Sequence, residues 1–233
     1  MTAIDEVADG IYRISSPVQI PGGGFTFNQY LVLDEQPLLF HTGPRRLFAA
    51  TREAIARVID PATLRYLAFS HYEADECGAL NELLAIAPQA EPVCSSVAAM
   101  TSVGDQADRP PKALKDGEAL ALGKHKLRWF DTPHLPHGWE CGYLFDETTA
   151  TLFCGDLFTQ PGAQHPAMTE GDILGPSEEM RSQLDYWAHS TNTRSLLDKL
   201  AAAKATTLAC MHGSAWHGDS PALLEELGKS LGV

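Results

Sequence analysis

No apolar run in this chain approaches the roughly 20 residues needed to span a bilayer, so a transmembrane helix is not expected. The opening residues, Met1-Thr2-Ala3-Ile4-Asp5-Glu6, are acidic and form neither a basic nor an apolar leader region, which argues against secretion. Cys-x-x-Cys spacing is absent: Cys77, Cys94, Cys141, Cys154 and Cys210 are odd in number and scattered. They read as reduced core residues of a cytoplasmic, bacterial-type protein, not as a disulfide or rubredoxin-like framework. Basic residues are few, 17 Lys and Arg against 30 Asp and Glu, and Arg45-Arg46 is the sole adjacent basic pair. A formal charge of −13 argues against nucleic acid or an anionic membrane as the main partner, because both demand a basic surface. Repeats, low-complexity tracts and composition shifts are also missing, so residues 1–233 read as one domain.

What is present is enough for a sizeable core: 233 residues, 44% hydrophobic and 20% charged. Short strands are expected at 11–14 and 29–33, flanking the turn-rich Pro21-Gly22-Gly23-Gly24, with a hairpin return at 37–40. The amphipathic run 47–59 predicts a helix closed by Asp60-Pro61, and 64–69 a buried strand. A helix follows over about 76–87, stopping at Pro88, then a strand passing into a short helix over 93–103 and a loop at Asp108-Arg109-Pro110-Pro111. Strands return at 126–130, 142–145 and 151–154. Residues 159–176 form an irregular connection, and 177–204 read as helical with a break near 190–193. A strand at 206–211 and a helix at 221–231 capped by Ser220 close the chain. This order suggests an α/β sandwich of two sheets with helices outside.

The chemistry concentrates in Ser70-His71-Tyr72-Glu73-Ala74-Asp75-Glu76, directly after an apolar strand. In extended backbone, positions i, i+2 and i+4 share a side, so His71, Glu73 and Asp75 can converge, and a mixed N/O donor set there reads as half of a metal site. Further candidates stand where other strands run out: His134 and His137 in Asp131-Thr132-Pro133-His134-Leu135-Pro136-His137-Gly138, Asp156 in Cys154-Gly155-Asp156, and His212 in Met211-His212-Gly213. Strand ends are the usual place for ligands in α/β folds, and the adjoining glycines permit close backbone approach. Tyr72, between two candidates, should point away from them and pack in the core. Tyr186 and Trp187 read as core or pocket wall on a helix, His217 as a loop or pocket residue, and His125, His165 and His189 as surface.

The order His-x-Glu-x-Asp, His, Gly-Asp, His resembles the metallo-β-lactamase fold over about residues 10–218. Within it the resemblance is to the diiron branch, the flavodiiron proteins and the stand-alone oxygen-binding diiron proteins. Zinc hydrolases of this fold carry His-x-His-x-Asp-His, whereas Glu73 stands at the second position here. The spacings agree with that branch: 61 residues separate Asp75 from His137, and 18 separate His137 from Asp156. The resemblance implies a four-layered αββα sandwich in which His71, Glu73 and His137 bind one metal, Asp75 and His212 a second, and Asp156 bridges. The spacing favours His137 over His134, which is expected in the outer shell or pocket wall. Two departures stand out. Glu76 occupies the position where most relatives have His, either as a fourth carboxylate ligand or as the helix-start carboxylate that the dipole favours. His41, in His41-Thr42-Gly43, replaces the Asp of the hydrolases and is a candidate to orient a ligand through its ring.

Three carboxylates and three imidazoles favour two iron ions with an oxo or hydroxo bridge, while two zinc ions remain compatible. The expected function is a non-haem diiron protein that binds or reduces dioxygen, or nitric oxide. No flavodoxin domain is expected after the last helix, so electrons would come from an external flavoprotein or rubredoxin-type donor. The alternatives are a binuclear zinc hydrolase of a thioester, lactone or phosphoester, and a metal-binding signalling module without turnover. Because the fold often dimerises, a homodimer is within expectation.

Overall fold

The structure is a computed structural model that describes residues 1–20 and 23–233. Pro21 and Gly22 of the expected turn lie outside the described residues. A hairpin dominates the first half: β2 (Ile11–Ile20) pairs along its whole length with β3 (Gly23–Val32), from Ile11 opposite Val32 to Ile20 opposite Gly23. On its outer side β1 (Ala3–Ala8) adds antiparallel to β2, and β4 (Leu38–Phe40) returns antiparallel to β3. From β4 the sheet turns parallel through β5 (Tyr66–Ala68), β6 (Glu91–Ser95) and β7 (Lys112–Leu114). Parallel neighbours need crossovers. These are α1 (Phe48–Ile55), the pair α2 (Ala74–Cys77) and α3 (Leu80–Ile86), and the helical turns from α4 (Ser96–Ala98) through a π-type segment to α5 (Gly104–Gln106).

The second sheet begins with the antiparallel meander β8 (Ala119–Ala121), β9 (Lys126–Asp131), β10 (Gly142–Asp146) and β11 (Thr151–Phe153). After β12 (Met168–Thr169), α6 (Leu174–Gln183) and α7 (Thr193–Ala202), β13 (Thr207–Ala209) adds parallel to β11. Next, β14 (Ala215–His217) turns back antiparallel to β13, and α8 (Ser220–Leu231) closes the chain. Among the described residues each sheet has seven strands, ordered β1 to β7 in one and β12-β14-β13-β11-β10-β9-β8 in the other.

Three apolar layers account for the stacking. Tyr30, Phe40, Ala68, Trp129, Leu144 and Phe153 fill the space between the sheets. Leu31, Leu39, Leu67 and Phe69 face Ala54, Ile55, Leu83 and Leu84 of α1 and α3. Tyr143, Cys154 and Cys210 face Leu196, Leu200, Leu224 and Leu227 of α7 and α8. The arrangement is the expected αββα sandwich.

Several local expectations need correction. The run 47–59 is helical only in part: α1 ends at Ile55, and Asp60 caps the short turn that follows, accepting from Ala62 N at 3.0 Å. The helix expected over 76–87 starts earlier and splits between α2 and α3. Asp219, not Ser220, caps α8, accepting from Ala222 N at 3.1 Å, while the Ser220 hydroxyl donates to Ala205 O. Tyr186 and Trp187 lie in irregular chain between α6 and α7. His125 is not a surface residue: it is buried, and its Nδ1 is 2.8 Å from buried Asp146 Oδ2. No helix among the described residues is long and apolar enough to cross a membrane.

Candidate metal centre

Strand direction gathers the site. Because β10 runs antiparallel to both β9 and β11, and β13 parallel to β11, strands β9, β11 and β13 all finish at one end of their sheet. The chain then delivers His137, Asp156 and His212 from the loops there, and His71 follows β5 of the other sheet. Backbone bonds across the gap, Gly142 N to Ser70 O at 2.8 Å and Asn28 N to Met211 O at 2.9 Å, tie the sheets together beside the site.

Glu73 is extended, at φ −136° and ψ 162°, but the chain bends over Ser70–Tyr72 and Glu73 N donates to His71 O at 3.2 Å, so a tight turn and not the expected strand alternation sets His71 beside Glu73. Asp75 does not follow that alternation either, since α2 begins at Ala74. It reaches the cluster from the first helical turn, with its Oδ2 3.6 Å from His212 Nε2. Glu73 Oε2 lies 3.1 Å from both His71 Nε2 and His137 Nε2. Asp156 faces both halves: Oδ2 is 3.6 Å from His71 Nε2 and 3.4 Å from His137 Nε2, and Oδ1 is 3.3 Å from His212 Nε2.

Each imidazole is anchored through its other nitrogen. His137 Nδ1 donates to Tyr186 O at 2.9 Å, and His212 Nδ1 donates to Thr26 O at 2.7 Å. A carbonyl can only accept, so in the neutral ring Nε2 must carry a lone pair directed at the cluster. His71 Nδ1 is hydrogen-bonded to Ser70 Oγ at 2.9 Å, and that hydroxyl to His41 Nε2 at 3.0 Å. His41 is thus linked to the site through Ser70. Complete burial pushes the His41 imidazole down to about 3, which keeps it neutral.

Electrostatics mark the centre as a place for positive charge. His71 Nε2 and His137 Nε2 approach to 2.9 Å, a distance at which two lone pairs repel unless a proton or a cation lies between them. Hydrogen bonds to His137 and His71 hold the Glu73 carboxyl at about 2. Burial works to raise Asp156, but the imidazoles of His212, His71 and His137 hold it below the carboxylate range. Burial likewise opposes protonation of His71 and His212, yet the surrounding carboxylates raise both. Asp156 Oδ1 and both oxygens of Glu76 are buried without a hydrogen-bond partner. Among the described residues, three groups of donor atoms each fit within 4.8 Å: His71, Glu73 and His137; His71, Glu76 and Asp156; Asp75, Glu76 and His212. This donor set, with orphaned carboxylate oxygens and outward-anchored imidazoles, fits a pair of cations.

The remaining candidates separate clearly. His134 is exposed, in a left-handed turn at φ 68°, and belongs to none of the donor groups found among the described residues. Tyr72 points away from the cluster but is exposed, lining a cavity of about 650 Å³ with Glu73 and Cys77 instead of packing in the core. Two positions escaped the sequence reading. Asn28 Nδ2 donates to Cys210 O at 2.9 Å and Gly213 O at 2.8 Å, fixing the loop that carries His212. Buried Glu140 accepts from Tyr72 N at 2.9 Å, fixing the loop that carries His71. An Asn inside a strand and a Glu in a loop have no local spacing that reveals these partners.

Two sheets packed between helices, with an imidazole and carboxylate cluster at the strand ends, define a protein of the metallo-β-lactamase type. More narrowly, residues 25–213 match the family described as ODP family beta lactamase, and the chain belongs to that family. Among its relatives, the rubredoxin-oxygen oxidoreductase of Megalodesulfovibrio gigas is 32% identical over 173 residues, covering 72% of this chain and 42% of that protein. The anaerobic nitric oxide reductase flavorubredoxin of Salmonella arizonae is 27% identical over 218 residues, covering 88% of this chain and 44% of that protein. The chain therefore spans less than half the length of either relative. In fold it is similar to a metal-soaked flavodiiron core from Synechocystis, with TM-score 0.87 and 23% identity, over 99% of this chain and 61% of that one. The flavodiiron protein of Giardia intestinalis gives TM-score 0.85 at 19% identity, over 98% and 59% of the two chains.

Proposed function

We propose that this chain holds a non-haem diiron centre and binds or reduces dioxygen, or nitric oxide, with electrons from an external flavoprotein or rubredoxin-type donor. In this reading His71, Glu73 and His137 hold one iron, Asp75 and His212 the other, and Asp156 lies between them. The observation that carries it is Glu73, whose carboxylate oxygen lies 3.1 Å from two imidazole nitrogens at the place where a zinc hydrolase would have a third histidine. Carboxylate-rich, hard ligation favours iron over zinc. The relatives' names, an oxygen oxidoreductase and a nitric oxide reductase, point the same way.

When bound, two adjacent irons supply the electrons and the open positions that a diatomic ligand needs. The protein's own part is placement. Tyr186 O and Thr26 O fix the tautomers of His137 and His212, and Ser70 orients His71. Asp156 and His212 lie buried at the base of the site, while Glu73 at its mouth is exposed. Five free, buried cysteines suit a reducing cytoplasm, and burial pushes the Cys77 and Cys94 thiols up to about 12, which keeps them protonated in the metal-free protein. The acidic balance supports neither nucleic acid nor an anionic membrane as partner, and a homodimer is the assembly in keeping with the fold.

Metal content tests the reading. Protein made in medium offering both iron and zinc, and purified without chelators, should carry about two irons per chain. It should also show a visible-range change on anaerobic reduction and oxygen addition that Asp156→Ala abolishes. Two zincs with no retained iron would overturn the assignment.

A further inference from the structure

Glu76 belongs to the cluster, yet the six-ligand arrangement gives it no role. It is 0% exposed, and neither carboxylate oxygen has a hydrogen-bond partner. No lysine or arginine among the described residues forms an ion pair with it; the imidazoles are its nearest partners, His71 Nε2 at 3.9 Å from Oε2 and a His212 nitrogen within 4.8 Å. An ionised carboxyl buried this bare is strongly disfavoured unless a cation or donor binds it. Its position indicates what does. Glu76 shares one donor group with His71 and Asp156 and another with Asp75 and His212, so it touches both halves of the site.

We propose that Glu76 is a fourth carboxylate ligand of the metal pair, bound to the ion held by Asp75 and His212 and within reach of the ion held by His71. The proposal rests on the two-metal reading above. It gives the chain a charge balance that three carboxylates cannot supply. Four carboxylates carry −4 against +4 from two dications, so the divalent pair is neutral without an added anion. Position favours the same assignment: Glu76 lies in α2, one residue after Asp75, and the helix that brings Asp75 to His212 brings Glu76 with it.

The test compares wild-type protein with Glu76→Gln and Glu76→His by anaerobic equilibrium dialysis against Fe(II) and, separately, Zn(II), with metal counted per chain. Glutamine keeps the shape and neutrality of a protonated acid but lacks the anionic oxygen. Wild type should take up two ions. Glu76→Gln should keep one and bind the second at least about 100-fold more weakly, since even an outer partner of a ligand is worth 10–100-fold. Glu76→His, which supplies a neutral nitrogen, should recover the second ion. Two ions bound by Glu76→Gln with wild-type affinity would overturn the role of Glu76 while leaving the two-metal reading intact. Fewer than two ions on wild type would overturn both. A crystal structure of Zn(II)-loaded wild type decides independently of how the variants fold. A Glu76 oxygen at about 2.0–2.2 Å from an ion supports the proposal, and one beyond about 3 Å overturns it.

Discussion

His212 shows how much one position depends on its neighbour. Gly213 adopts φ +90°, and a Cβ there would lie 2.5 Å from Gln160 side-chain atoms. Gly213→Ala combines left-handed strain of roughly 1–2 kcal/mol with that clash. It should lower unfolding free energy by about 2 kcal/mol or more in urea titrations and weaken binding of the ion beside His212. His41 supports a pH prediction. Its folded pKa, about 3 against 6.5 in the open chain, is depressed, because burial beside Phe40 and Ser70 disfavours the imidazolium. The unfolded chain therefore takes up the proton first. The His41 contribution is full above about pH 6.5 and is lost as pH falls toward 3, at no more than about 1.4 kcal/mol per pH unit. His41→Asn, which tolerates the positive φ of 65°, should flatten that part of the stability profile of the metal-free protein. An unchanged acid limb would refute it.

At the scale of elements, the β2–β3 hairpin does more than complete a sheet. Arg13, Thr26, Asn28 and Tyr30 all bond to the Cys210–Gly213 stretch that follows β13 in the opposite sheet, Arg13 Nη2 reaching Gly213 O at 2.6 Å. Asn28→Ala removes two buried bonds while Tyr30 still serves Cys210 O and Arg13 still serves Gly213 O, a loss of about 1–3 kcal/mol. Denaturant unfolding should show that loss, and metal titration should show the Asp75 and His212 position weakened before the His71 and His137 position. The short α2 is the element where period-2 reasoning was half right. Glu73 does meet His71, through a tight turn and not strand alternation, and the chain turns helical at Ala74, so Asp75 and Glu76 reach the centre together. That exchange of one strand position for a helical turn is what brings a fourth carboxylate inward.

For the whole molecule, a metal pair bound as proposed would clamp the two sheets together, since His71 comes from one and His137, Asp156 and His212 from the other. A ligand that binds only the folded state stabilises it by mass action, about 4 kcal/mol at a concentration 1,000 times its dissociation constant. Chelation should therefore lower the melting temperature by several degrees or more, with full recovery on adding Fe(II) anaerobically. Asp156→Asn, which breaks the link between the two halves, should shrink that difference. A melting temperature indifferent to chelator would show that the sheets need no clamp.

How far these features were legible depends on the range of the interaction behind each. Strand and helix locations, the acidic surface and the ligand types at strand ends follow from local chemistry: apolar period, turn residues, charge, and the placement of His71, Glu73, Asp156 and His212 where an apolar run stops. The αββα layering followed from their order. What no local pattern carries is pairing across the chain. His125 looked like a surface residue until the fold set it 2.8 Å from Asp146. His134 and His137, three residues apart, were separated by a turn that exposes one ring and aims the other at Glu73. Asn28 and Glu140 became site residues only by meeting loops 182 and 68 residues away. The sequence by itself determined which donors are available and near which strand ends they stand. The tertiary structure decided which donors converge, because convergence depends on strand direction and on hydrogen bonds closed between two sheets, and neither exists until the sandwich has packed.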